Sequence, residues 1–171
     1  MLNMLNFLCK ILIPLLSIST CWAIDPLVPL QVWANEAIIN TFTFNSKNIQ
    51  PRQQDMSQYF TPEIWKIYRD AFNQSSIYKE IQEHHLEVSA VATKPPKITI
   101  KTPSDISVEM PILVTYTSPN KTITQNLNVT IKIIKTPGSG VREYTIQQFQ
   151  ATNISEPCGC AQLQSPKVTI A

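Results

Sequence analysis

The densest group of side chains able to do chemistry is Glu80, Glu83, His84, His85 and Glu87. Imidazoles and carboxylates together have the composition of a metal site. On a continuous helix Glu80 and His84, four residues apart, would share a face. The segment lies where the apolar period changes from helical to extended, so that face is not expected to persist. The group then reads as a solvated, charged junction. A second candidate is Cys158 and Cys160, in Pro157-Cys158-Gly159-Cys160. Two thiols without a nearby histidine are too few for zinc. Gly159 lets the chain turn tightly enough for a small disulfide in an oxidising compartment. Pairing with another chain, or a redox or metal role, stays open. For acid–base work the nearest candidates are Asp55, Asp70, Tyr59 and Tyr68, with Asp70 spaced to face water. No Gly-x-Ser-x-Gly occurs, and the two histidines have no cysteine in a recognisable context. No catalytic, cofactor or metal residue is assigned, and the chain reads as a non-enzyme.

The elements that must carry these residues are bounded by size and composition. With 171 residues the chain fits one domain, and 14 basic against 12 acidic residues leave +2. A nucleic-acid binder usually shows a strongly basic face, so this balance argues against one. Only 3 glycines exclude glycine-rich phosphate loops, while 13 prolines beside much Thr, Ile and Gln suit strands with rigid turns.

Residues 1–23 read as a secretory signal. Lys10 precedes a short apolar run, 11–18, and small residues at Cys21 and Ala23 place cleavage between Ala23 and Ile24. The run is too short to span a bilayer, which takes roughly 20 apolar residues. Two alternatives remain: a retained membrane anchor, and a lipid on Cys21, with Thr20 a poor residue before it. No later stretch suits a membrane anchor, so the mature chain is expected to be periplasmic or secreted. The division is 1–23 signal, 24–152 folded domain, and 153–171 tail with Cys-Gly-Cys.

Within the domain, helices come first. Trp33, Ala34, Ala37, Ile38 and Phe42 recur at helical spacing over 30–44. Residues 45–57 are polar, contain Pro51, and read as a loop. Thr61-Pro62-Glu63 is a helix start, with a cap, a proline at the first position and an acid at the positive end. Ile64, Trp65, Tyr68 and Phe72 follow on one face, and Ser75 or Ser76 caps a further short helix. The period then becomes two. Leu86, Val88 and Ala90 begin it, and Ile98 and Ile100 make a short strand. Even positions from Ile106 to Tyr116 are apolar, and Ile123, Leu127, Val129, Ile131 and Ile133 then occupy odd positions. Residues 143–151 give a last strand whose Tyr144, Ile146 and Phe149 slip phase, which signals a bulge. Lys94, Lys97 and Lys101 read as a solvated edge that discourages edge pairing. Greasy on one face only, these strands predict an antiparallel sheet covered on one side. The fold class is α+β: helices packed on a curved antiparallel sheet, the nuclear-transport-factor-like or cystatin-like cone. Core candidates are Trp33, Phe60, Trp65, Phe72, Val114, Tyr116, Ile131 and Phe149.

The ordered set Trp33, Tyr59-Phe60-Thr61, Trp65, Phe72, Val88, Ala90, Glu109-Met-Pro111-Ile-Leu-Val-Thr-Tyr116, Asn128-Val-Thr130, Lys135-Thr-Pro137 and Ile146-Gln-Gln-Phe149 resembles the DotI/IcmL family. That family is related to the conjugation protein TraM. The resemblance covers about residues 26–152. It implies a VirB-type periplasmic cone, no catalysis, no cofactor, and protein partners among type IVB secretion components. The family's core member carries a cytoplasmic segment and a retained membrane helix. A cleavable signal in place of both implies a soluble periplasmic paralogue, with self-association a further option. Two other readings stay open: a ligand-binding or enzymatic cone, and an exported factor unrelated to secretion assembly.

Overall fold

The computed structural model describes residues 27–102, 104–136 and 143–154. The expected signal with its Ala23–Ile24 junction, the turn at 137–140 and the Cys158–Cys160 tail lie outside them. The elements, in chain order, are α1 (Val28–Thr41), β1 (Phe44–Asn45), α2 (Ile49–Ser57), α3 (Pro62–Gln74), α4 (Ser76–Glu83), β2 (Glu87–Ala92), β3 (Lys97–Thr102), β4 (Asp105–Ser118), β5 (Lys121–Lys135) and β6 (Tyr144–Asn153). The strands form one antiparallel sheet in the order β1-β2-β4-β5-β6, with β3 beside β4. The α+β class is thus the observed one, helices preceding and covering a curled sheet. The last strand runs to Asn153, one residue past the expected domain end.

Period-two patterning decides which face of the sheet is buried. Ile106, Val108, Met110, Ile112, Val114 and Tyr116 on β4 and Leu127, Val129, Ile131 and Ile133 on β5 are all buried. They pack beneath Leu30, Trp33, Ala34, Ala37 and Ile38 of α1. The expected phase slip in β6 is a register shift. Lys132 pairs with Gln148 and Ile133 with Ile146, leaving Gln147 as the extra residue. Tyr144 and Ile146 lie before it and Phe149 after it, so odd and even positions both reach the inner side.

Pro111 interrupts β4 where its neighbour changes. Residues 112–117 pair with β2 and 105–109 with β3, and Pro111 falls between the two runs. Its carbonyl accepts from the Thr93 N–H at 2.9 Å and the Thr93 hydroxyl at 3.1 Å. In an antiparallel strand a residue's N–H and C=O point the same way. The missing proline N–H therefore faces Thr93, one residue past the end of β2, so the bond that proline cannot make falls at the end of that ladder.

Three expectations about the helices need correction. The loop expected over 45–57 contains α2. Pro51 sits in the first turn, where backbone N–H groups have no helical acceptor, so it does not break the helix. Only Ile49 and Met56 of α2 are buried, too few to show a periodic face. The first helix stops at Thr41, and Phe44 leaves it to pair with Val88 in β1. Trp65 and Phe149, expected in the core, are only partly buried. Trp65 lies at the rim of the α3 face, and Phe149 lies on the outermost strand. Trp33, Phe60, Phe72, Val114, Tyr116 and Ile131 are buried in the core cluster. The expected caps hold: the Thr61 hydroxyl accepts from the Ile64 N–H at 3.5 Å, and that of Ser75 from the Tyr78 N–H at 3.2 Å.

Candidate interaction surfaces

Between α3 and β6 the aromatic side chains form a continuous seam. Phe60 stacks on Tyr68 at 5.6 Å between centroids, and Tyr68 on Phe72 at 6.2 Å. Phe149 meets Phe42, Phe60 and Tyr68 from the strand side. Trp65 caps the seam against Phe60 and Tyr68. Burial, and then the neighbouring Tyr116, push the Tyr68 phenol well above its ordinary value; burial raises Tyr116 to about 12. The Tyr116 hydroxyl donates to Gln125 Oε1 at 3.0 Å. Both phenols are neutral at physiological pH and act as packing groups that each keep a polar tip satisfied.

The acid–base candidates divide. Asp55 and Tyr59 come together in a cleft of about 230 Å³ that Glu36, Asn40, Arg52 and Gln58 also line. The Tyr59 hydroxyl donates to Glu36 Oε1 at 2.6 Å and accepts from Asn40 Nδ2 at 3.2 Å. Arg52 donates to Asn40 Oδ1 at 3.0 Å and to the Thr43 carbonyl at 3.2 Å. These bonds tie α2 to α1 and to the chain leading into β1, which is how so polar a helix is held in place. Asp70 lies apart, paired with Arg69 at 3.0 Å and half exposed.

The histidine cluster departs from expectation in one respect. Glu80 and His84 do share a face, 3.4 Å apart, because α4 continues up to His84 as its cap. Both are well exposed, and an exposed pair of this kind adds little stability. His85 takes a positive φ of 50°, and the next N–H, of Leu86, returns to the Ile81 carbonyl at 3.1 Å. His85 thus fills the left-handed position that ends many helices, a backbone role. Among the described residues no three His, Cys, Asp or Glu side chains are grouped to hold a metal.

The outer face of the sheet is polar. The ladders align Thr115 with Thr124, Leu113 with Asn126, Pro111 with Asn128, and Glu109 with Thr130. On the far side Asn128 meets Thr152 and Thr130 meets Gln150. Asn128 Nδ2 donates to Glu109 Oε1 at 2.6 Å. The apolar row across this face is Val91 beside Leu113, with Val91 58% exposed. Such a face offers hydrogen-bonding groups on a rigid scaffold, the equipment of a contact surface.

Residues 13–153 match the family model described as the DotI/IcmL inner-membrane complex component of the type IVb secretion system. The chain belongs to the DotI/IcmL family. An IcmL-like type IV secretion system protein from Legionella pneumophila is 41% identical; the match covers 80% of this chain and 99% of that one, with a TM-score of 0.71. The periplasmic domain of DotI is 35% identical over 73% of this chain and 94% of that one, with a TM-score of 0.65. VirB8 from Agrobacterium tumefaciens, 15% identical, covers 77% of this chain and 94% of its own with a TM-score of 0.56, a likeness of fold alone. No curated protein matches the chain. The family match begins inside the segment expected to be a signal, taking in residues 13–23. No helix among the described residues is long and apolar enough to cross a membrane.

Proposed function

We propose that this DotI/IcmL-family chain is a non-catalytic periplasmic interaction domain that works alongside a type IVb secretion apparatus. The observation that carries the reading is its 41% identity to an IcmL-like type IV secretion protein along 99% of that protein. The polar outer sheet face supports contact rather than turnover. The alternatives of a ligand-binding or enzymatic cone and of an unrelated exported factor are outcomes of the test. Crosslinking in intact cells, followed by identification of captured chains, is expected to return secretion-system proteins. Capture of none, with a small molecule co-purifying, would replace the reading.

Export through the 1–23 signal, cleavage between Ala23 and Ile24, a folded domain over 24–152 and an intramolecular Cys158–Cys160 disulfide belong to the same proposal. A small ring of this kind should be readily reduced. Mass spectrometry of exported protein should find Ile24 at the N-terminus and the two thiols joined. A retained N-terminal anchor is the second reading, favoured by the family match starting at residue 13 and by the family's inner-membrane description. Intact Met1 in the membrane fraction would establish it.

A further inference from the structure

β3 is finished unlike its neighbours. It pairs with β4 alone, and among the described residues no other backbone hydrogen bond reaches 97–102. Its outward N–H and C=O groups form a row ready for another strand. Ile98 and Ile100 pair with Val108 and Ile106, so they lie on the core side of the sheet. The helical layer leaves Ile100 51% exposed there. From Thr93 to Thr102 the chain carries Lys94, Lys97 and Lys101, all exposed, and no acid. Two carboxylates stand across the ladder: Glu109, opposite Lys97, is bonded to Asn128, and Asp105 lies opposite Thr102 at the far end.

We propose that the outer edge of β3 accepts an extended acidic segment of a partner protein as an added strand. Main-chain bonds to 97–100 would supply affinity, and alternate side chains the selectivity. Acidic residues would fall beside Lys97 and Lys101 on the outer face. Apolar residues between them would cover Ile100 and extend the buried face by one strand. The register shift between Ile100 and Thr102 leaves Lys101 as the extra residue, so the regular run offered to an added strand is 97–100. A second copy of this chain is a poor occupant. Antiparallel self-pairing about Thr99 sets Lys97 against the other copy's Lys101, and parallel pairing sets like against like; both oppose equal charges.

This inference rests on the interaction reading and names the partner's chemistry. The first test uses the purified full chain and a synthetic peptide alternating glutamate and valine. Binding is followed by fluorescence anisotropy and by amide hydrogen exchange. Protection should appear at 97–102, and N-methylation of alternate peptide amides should abolish binding. Lys97→Glu with Lys101→Glu should weaken binding by about tenfold, since opposed like charges replace paired ones. Lys97→Gln with Lys101→Gln should fall between, with an unchanged melting temperature. No binding, protection elsewhere, or equal binding of a lysine–valine peptide overturns the proposal. In cells, a photo-crosslinking residue at Ile100 is compared with one at Thr124. Capture of secretion proteins from Thr124 alone, or of a second copy from Ile100, overturns the β3 assignment and leaves the interaction reading standing. Capture from neither site removes both. Capture from Ile100 through an acidic peptide supports it.

Discussion

The two sides of the sheet are finished in opposite ways. At β6 the chain just before α3 reaches across: the Thr61 N–H donates to the Ile146 carbonyl at 2.9 Å, and the Ile146 N–H to the Tyr59 carbonyl at 2.7 Å. Phe60, between them, forms a parallel bridge with Ile146 and lies against Phe149. Backbone bonding and aromatic packing thus close that edge together. At β3, among the described residues, no backbone bond reaches the side away from β4, which carries lysines and a half-exposed isoleucine. One edge is closed by the fold's own helices, which makes it a stability element. The other is guarded by charge, which keeps it soluble and leaves it available.

The contrast is broken most directly at Phe60. Phe60→Ala should cost about 3–5 kcal/mol, the range for emptying a buried aromatic site. Urea unfolding measures it, and a loss near that of Ile100→Ala would mean the β6 edge is not held by the seam. Trp65→Ala should cost less, about 1–3 kcal/mol, because the indole is only partly removed from water. Alkaline pH strains the same closed side. Tyr68 and Tyr116 have folded values raised above the ordinary phenol value of 10.0, so folding favours their neutral forms. That stability is complete below pH 10 and is lost as pH climbs toward the Tyr116 value of about 12. Denaturant midpoints should therefore hold steady to near pH 10 and then fall, and Tyr68→Phe should soften the fall. Ser75→Ala should cost about 1 kcal/mol through loss of the α4 cap. Smallest of all, Lys97→Gln with Lys101→Gln should change stability by less than about 0.5 kcal/mol. A larger loss would show that the lysines hold the edge in place and do not merely guard it.

Much of the fold was legible because period and chemistry agreed. Even positions in β4 and odd positions in β5 could be assigned to one face without any knowledge of what covers them. Thr61-Pro62-Glu63 marked a helix start because capping is local. Where tertiary contacts did the work, the residues were silent. α2 has two buried side chains and a proline, and its attachment through Arg52, Asn40 and Tyr59 joins residues distant in sequence. The pairing of Glu80 with His84 depended on where α4 ends, and helix ends turn on one or two residues.

The sequence by itself determined the class of fold, the order of helices before strands, which face of each long strand is buried, and the family. Each follows from periodicity, from caps, or from an ordered set of residues along the chain. The tertiary structure decided which strand lies at which edge, and hence that β6 is closed by Tyr59-Phe60-Thr61 while β3 stays open. It also decided that Trp65 and Phe149 sit at a rim and that Pro111 falls in the gap between two partners of β4. These are matters of which distant segments meet. Local patterning states only that a surface must be covered, and the packing of the whole chain selects what covers it.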